Sequence, residues 1–171
     1  VRRAFSFGGL QALHGYDIDI LLTPDPLSLD TIAYTPVFEY EQVLAMDKHH
    51  PLADKPFIKP QDLSNETLIT YPVELSRLDI FTHFLTPANC TVRQHKTIET
   101  TEIILQMVAA GRGVTALPKW LIDESKERDL LTYRSLGEVG VSKTLYLGHR
   151  KAQDVLGFVD DFIALSQAHK P

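Results

Sequence analysis

The sequence predicts an open α/β sheet, and three observations predict it. Apolar runs rich in β-branched and aromatic residues alternate along the chain with stretches spaced as helices. Several of the strand-like runs are stopped by a proline, as at Pro24, Pro72 and Pro118. The composition is that of a packed domain: of 171 residues, 44% are hydrophobic and 23% charged.

The elements follow in order. In "LQALHGYDIDILLTP", Leu10 and Leu13 share one side of a short helix that Gly15 closes. "DIDILL" then reads as a buried strand, stopped by Thr23-Pro24-Asp25-Pro26; a helix feeding such a strand suggests a parallel layer. "TPVFEYEQVLAMD" (35–47) reads as a long strand, able to cross between lobes. "DKHHPLADKP" (47–56) follows as a turn stiffened by Pro51 and Pro56, with His49 and His50 at the surface. "KPQDLSN" gives a short helical turn and "ETLITYP" the next strand. "SRLDIFTHFL" is a helix: Ser76 and Asp79 have capping-box spacing, and Leu78, Phe81 and Leu85 form the apolar stripe. "TVRQHKTIE" is a strand, and "TTEIILQMVAAGR" is the clearest helix, with Ile104, Met107 and Val108 at helical spacing. "GVTALP", "LLTYRSL" and "SKTLYLGHR" are strands. The last helix starts near Asp154 and puts Val155, Phe158, Val159, Phe162 and Leu165 on one face.

Composition also limits function. A net charge of −5 argues against this chain itself tracking a nucleic-acid backbone, though not against a DNA-binding segment outside it. Cys90 is the only cysteine, so no internal disulfide is possible and a reducing cytoplasm is the expected setting. No run is long enough for a transmembrane helix, and no signal-peptide pattern is present; no membrane partner is expected. The chain opens without an initiator methionine and reads as a fragment of a longer protein.

Catalytic and metal motifs are not found. The sequence lacks a GxSxG elbow, HExxH, a P-loop and GxGxxG, and Gly8-Gly9 reads as a turn. Cys90 reads as a small loop residue, and "DESKERD" (123–129) as a solvated helix end. Adjacent His49 and His50 point to opposite faces of extended chain, so they do not share a metal. No enzyme activity, metal or cofactor is expected.

Ligands of open α/β sheets sit beyond the carboxyl ends of strands, where helix N-termini also point. Four strand ends carry proline or hydroxyl residues there: Thr23-Pro24, Tyr71-Pro72, Thr100-Thr101 and Leu117-Pro118. Ser76 and Arg77 add a cap and a guanidinium suited to a carboxylate at a predicted helix start. Each is also an ordinary helix cap by itself; their coincidence at strand ends is what suggests a site.

Three stretches then resemble one family. "ALHGYDIDILLTP", "YTPVFEYEQVLAMDKHHPLA" and "ILQMVAAGRGVTALPKW" (104–120) resemble, in order and spacing, the effector-binding domain of LysR-type transcriptional regulators. The resemblance implies two Rossmann-like lobes of mixed sheet flanked by helices, type 2 periplasmic-binding-protein-like, joined by two crossover strands. Lobe I would be about residues 1–46 plus 142–171, and lobe II about 58–140. A small effector would sit between the lobes and signal, through a homo-oligomer (a dimer, or a tetramer of the full-length protein), to an N-terminal winged helix-turn-helix. That DNA-binding domain and the family's first strand-helix unit are absent from this chain, so the site read here is incomplete.

Within the family, "ETLITYPVELSRLDIFTHFLTPA" is similar to the activators of methionine biosynthesis, which implies homocysteine as effector. Carried over by position, the effector contacts would be Thr23, Pro24, Tyr71, Pro72, Ser76, Arg77, Thr100, Thr101, Ala116, Leu117 and Pro118. Arg77 or the helix start at Thr100 would take the carboxylate. The other reading is a periplasmic-type solute-binding receptor for an amino acid or small anion.

Overall fold

The computed structural model describes residues 8–27, 29–151 and 157–168. In chain order the elements are α1 (Gly9–His14), β1 (Leu21–Thr23), β2 (Ile32–Asp47), β3 (Thr67–Thr70), β4 (Gln94–Thr97) and α2 (Thr101–Ala109). They continue with β5 (Thr115–Pro118), α3 (Lys119–Asp123), β6 (Leu131–Ser135), β7 (Val141–Arg150) and α4 (Gly157–Ala168). The chain divides into two units, residues 1–39 with 143–171 and residues 40–142. It passes from one to the other twice, within β2 and within β7.

In the first unit, β1, β7 and β2 are neighbours in that order. β1 runs antiparallel to β7, with Leu22 opposite Leu147, where the sequence suggested a parallel layer. It is also three residues long rather than six. The reason is local: the Asp17 and Ile18 N–H groups turn back to the Ala12 carbonyl at 2.9 and 3.3 Å, so residues 17–19 close α1 instead of extending the strand. Gly15 does not supply the left-handed residue expected after the helix; its φ is −79°, and Tyr16 takes φ 64°. In α4, Val159 is buried but Phe162 and Leu165 are 40% and 59% exposed, so the expected apolar face is only partly covered among the described residues. Asp154, Val155 and the Phe158 side chain lie outside those residues.

In the second unit, the last part of β2 lies between β5 and β6, antiparallel to both: Leu44 faces Ala116 on one side and Arg134 on the other. β3 and β4 pair in parallel, and Val114 bridges Leu68 in parallel just ahead of β5. Side chains of a strand alternate between faces, so an uninterrupted apolar run must be buried on both. "VLAM" of β2 is such a run. Leu44 and Met46 pack with Ile80, Phe84 and Leu85 on one face. Val43 and Ala45 pack with Ile104, Leu105 and Val108 of α2 on the other, together with Ile122 of α3.

The stretch read as one helix from Ser76 is broken into three. A 3-10 turn spans Leu75–Arg77, a π-helix spans Ile80–Leu85, and a second 3-10 turn, Thr86–Ala88, ends at left-handed Asn89. The capping box does not form: Ser76 caps nothing, and the Asp79 carboxylate bonds His83 at 3.2 Å instead of free N–H groups at the start of the segment. Of the expected stripe only Leu85 is fully buried; Leu78 and Phe81 are partly buried, and Ile80 and Phe84 take the core positions instead, as π winding shifts which residues share a face.

"DKHHPLADKP" is a turn, and it is stapled down. Leu52 and Ala53 enter the core. His50 is not the surface residue expected: its Nδ1 accepts from the Leu52 N–H at 3.2 Å, leaving Nε2 to face the Glu66 carboxylate at 3.3 Å. From β6, Arg134 donates Nε to the Lys55 carbonyl at 2.8 Å and one Nη to the Ala53 carbonyl. Its other Nη donates to the Tyr133 carbonyl at 2.6 Å. Arg134→Ala is expected to cost about 2 kcal/mol, because charge-assisted bonds to half-buried carbonyls are lost together. Urea unfolding checks this, and an unchanged midpoint refutes the staple.

Candidate functional site

The carboxyl end of β3, the N-terminus of α2 and the end of β5 belong to the second unit, and two of them are tied by side chains. β3 is buried at all four positions, which fixes Tyr71, the residue after it, at the strand's exit. The Ile98 N–H donates to the Thr70 carbonyl at 2.9 Å and holds the exit of β4 beside it. Two residues on, Thr100 is the extended N-cap of α2, and its carbonyl accepts the Ile104 N–H at 3.1 Å. Its hydroxyl makes no capping bond, so the helix's leading N–H groups are not closed by their own cap residue. Thr101, inside the first turn, brings its Oγ1 to 2.7 Å from the Tyr71 hydroxyl.

That pair of hydroxyls is the centre of the candidate site. Burial pushes the Tyr71 phenol above its ordinary value, outweighing the hydrogen bond with Thr101 that lowers it, so the hydroxyl stays protonated at neutral pH. Two neutral hydroxyls can each give and take a hydrogen bond, which suits binding a polar ligand.

The other expected site residues fall as follows. Pro72 is exposed beside Tyr71, and Val73 folds back so that its N–H meets the Tyr71 carbonyl at 2.9 Å. Ser76 and Arg77 are exposed on the 3-10 turn; Arg77 ends that turn rather than starting a helix, correcting the expected N-terminal placement. Ala116 and Leu117 turn their side chains into the two cores of the second unit, and Pro118, half-buried, ends β5. Thr23 and Pro24 belong to the first unit, where the Thr23 hydroxyl accepts from the Asp25 N–H at 3.1 Å in a local turn.

Two polar groups near these ends were not singled out from the sequence. Gln42 stands opposite Pro118 on β2, with Nε2 donating to the Ala116 carbonyl at 3.4 Å and Oε1 buried with no partner among the described residues. The signal was a lone amide at the edge of an apolar run. His95 of β4 has its Nε2 2.7 Å from Thr70 Oγ1 and its ring edge-on to Phe81. Nothing local marks it. Among the described residues no three His, Cys, Asp or Glu side chains are grouped to hold a metal, and no helix is long and apolar enough to cross a membrane.

A family model described as the LysR substrate binding domain matches residues 2–171. The HTH-type transcriptional regulator MetR of Escherichia coli K12 is 37% identical over 164 residues, covering 96% of this chain and 51% of that protein. The chain thus spans about half the length of the curated relatives it matches. Among solved structures, the regulatory domain of a MetR from N. meningitidis, a LysR family regulator, is 28% identical with a TM-score of 0.79, covering 96% of this chain and 76% of that one. The Synechocystis CcmR regulatory domain in complex with 2-PG has a TM-score of 0.80 at 20% identity, over 93% of this chain and 76% of that one; it shares the fold. These neighbours carry the two-lobed α/β architecture that the sequence led us to expect.

Proposed function

The chain belongs to the LysR substrate binding domain family, and from that membership we propose that it is the effector-sensing domain of an activator of methionine-biosynthesis genes, with homocysteine as co-activator. The observation that carries this is the 37% identity to a MetR over nearly the whole chain. The hydroxyl pair of Tyr71 and Thr101 at the start of α2 supplies the matching chemistry. The homocysteine carboxylate lies against the leading N–H groups of α2, where a helix N-terminus favours an anion, and Arg77 closes on it from the neighbouring turn. The effector's response passes to a helix-turn-helix of the full-length protein acting as a homo-oligomer on DNA.

A thermal shift on the full-length protein with homocysteine, methionine and cysteine tests this. A ligand bound only by the folded state at a hundred times its Kd adds about 2.7 kcal/mol, or about 5–10 °C in a domain of this size. Homocysteine is expected to give that shift and the other two less. Tyr71→Phe and Thr101→Val are each expected to weaken binding about five-fold, the worth of one hydrogen bond. No shift with homocysteine removes it as the effector. Unchanged affinity in Arg77→Ala removes that guanidinium from the site.

A further inference from the structure

A chain of hydroxyls and carbonyls runs from His95 to the Tyr71–Thr101 pair. His95 Nε2 lies 2.7 Å from Thr70 Oγ1, and that hydroxyl lies 3.0 Å from the Tyr71 carbonyl. The same carbonyl accepts the Val73 N–H at 2.9 Å and so closes the turn that carries Tyr71 away from β3. The Tyr71 phenol then meets Thr101 at 2.7 Å. Thr70 is buried, so its hydroxyl has no solvent to fall back on. It owns one proton and has two neighbours for it.

We propose that His95 is a positioning residue that senses protons for this site: a proton gained by its imidazole reverses the Thr70 hydroxyl and changes how the Tyr71 turn is held against Thr101. In a neutral ring with its proton on Nδ1, Nε2 is an acceptor and draws the Thr70 proton. In the imidazolium both ring nitrogens donate, so Nε2 gives to Thr70 Oγ1 and the Thr70 proton turns to the Tyr71 carbonyl. The Thr70 hydrogen bond to that carbonyl then holds beside the one from Val73, and the turn at 71–73 tightens. The effect on an effector rests on the function proposed above; the relay itself does not.

The surroundings leave His95 to act alone. β3 presents Thr70 and no charged side chain. The π-helical segment presents the Phe81 ring, and its ionisable pair, Asp79 and His83, is bonded to itself at 3.2 Å. Just ahead of β4, Arg93 is engaged with Thr67 Oγ1 at 3.3 Å. Burial holds the His95 pKa below its ordinary 6.5, so the switch operates on the acid side of neutrality. The sign follows: the neutral ring is favoured in the folded chain, and its contribution to stability, present above pH 6.5, is lost as pH falls through the folded value.

An NMR titration of the effector-free protein from pH 8 to 5 tests the relay. The amide signals of Tyr71, Val73 and Thr101 are expected to move with the His95 midpoint. His95→Gln, which keeps a hydrogen-bonding partner for Thr70 but cannot titrate, is expected to abolish that movement, and His83→Gln to preserve it. Thr70→Val keeps the shape and removes the hydroxyl; His95 still titrates there while Tyr71 no longer follows. Amides that ignore the His95 midpoint, or follow it unchanged in Thr70→Val, overturn the proposal. Homocysteine affinity measured over the same range is expected to change several-fold across the midpoint and to stay flat in His95→Gln. A protein that binds no homocysteine at any pH counts against the effector, and the NMR arms still decide the relay.

Discussion

Gly113→Ala is expected to destabilise the second unit by about 3 kcal/mol or more, and Gly111→Ala, two residues away, by about 1 kcal/mol. Both glycines have positive φ, 68° at Gly111 and 155° at Gly113. A side chain at Gly111 would meet open space, so its substitution carries only the left-handed backbone penalty. At Gly113 the added Cβ would lie 2.4 Å from the Thr67 carbonyl oxygen and 3.2 Å from the Ile69 side chain. The Thr67 carbonyl accepts the Val114 N–H at 2.9 Å, and Val114 in turn accepts the Ile69 N–H at 2.8 Å. These two bonds attach the β3–β4 pair to the segment that leads into β5. An alanine must part them, and the backbone that would have to move is that of a strand buried at every position. Urea unfolding of the two variants side by side measures the difference. Equal costs would mean that the close approach of Thr67 sets no constraint.

The same segment marks what the sequence made legible. "VAAGRGVTALP" was readable as helix, turn and buried strand because a glycine-punctuated turn separates two apolar runs, and α2 and β5 occupy those places. β2 was readable because "VLAM" has no polar gap, and its two buried faces explain why none is tolerated. The lower-contrast elements were misread where a polar residue had two possible partners. Asp79 had capping spacing from Ser76 but makes no cap and meets His83 instead. Asp17 and Asp19 sat in an apparent strand but belong to the turn that closes α1.

The site divides in the same way. Hydroxyls at strand exits were visible because prolines announce where strands stop. Their mutual placement was not: Tyr71 and Thr101 are thirty residues apart and meet only because β3 and β4 pair in parallel and the chain leaves β4 directly into α2. His95 lies in a strand with no local signal, and only the β3–β4 pairing reveals its bond to Thr70.

In the first unit, Arg150→Met is expected to cost about 3–4 kcal/mol, well above Asp19→Asn at under about 1 kcal/mol. The Arg150 side chain is 7% exposed at the end of β7, and it gathers the loose end of α1. One Nη donates to the Leu13 carbonyl and, at 2.7 Å, to the Ile18 carbonyl; the other meets the Asp19 carboxylate at 2.7 Å. The last carbonyls of a helix lack intrahelical partners and carry partial negative charge, so a cation there satisfies both the bond and the dipole. The Tyr16 ring centroid lies 4.3 Å from the guanidinium, which gives that left-handed, exposed tyrosine a favourable contact against its backbone strain. Methionine fills similar space but leaves both carbonyls unpaired in a buried setting. Asp19 is half exposed, so neutralising it weakens a solvent-screened attraction. Tyr16→Gly separates the last contribution: losing the ring contact and relieving the strain oppose each other, so its midpoint should stay within about 0.5 kcal/mol of the parent. Equal losses for Arg150→Met and Asp19→Asn would place the energy in the ion pair, and a large loss in Tyr16→Gly would place it in the ring; the carbonyl bonds predict neither.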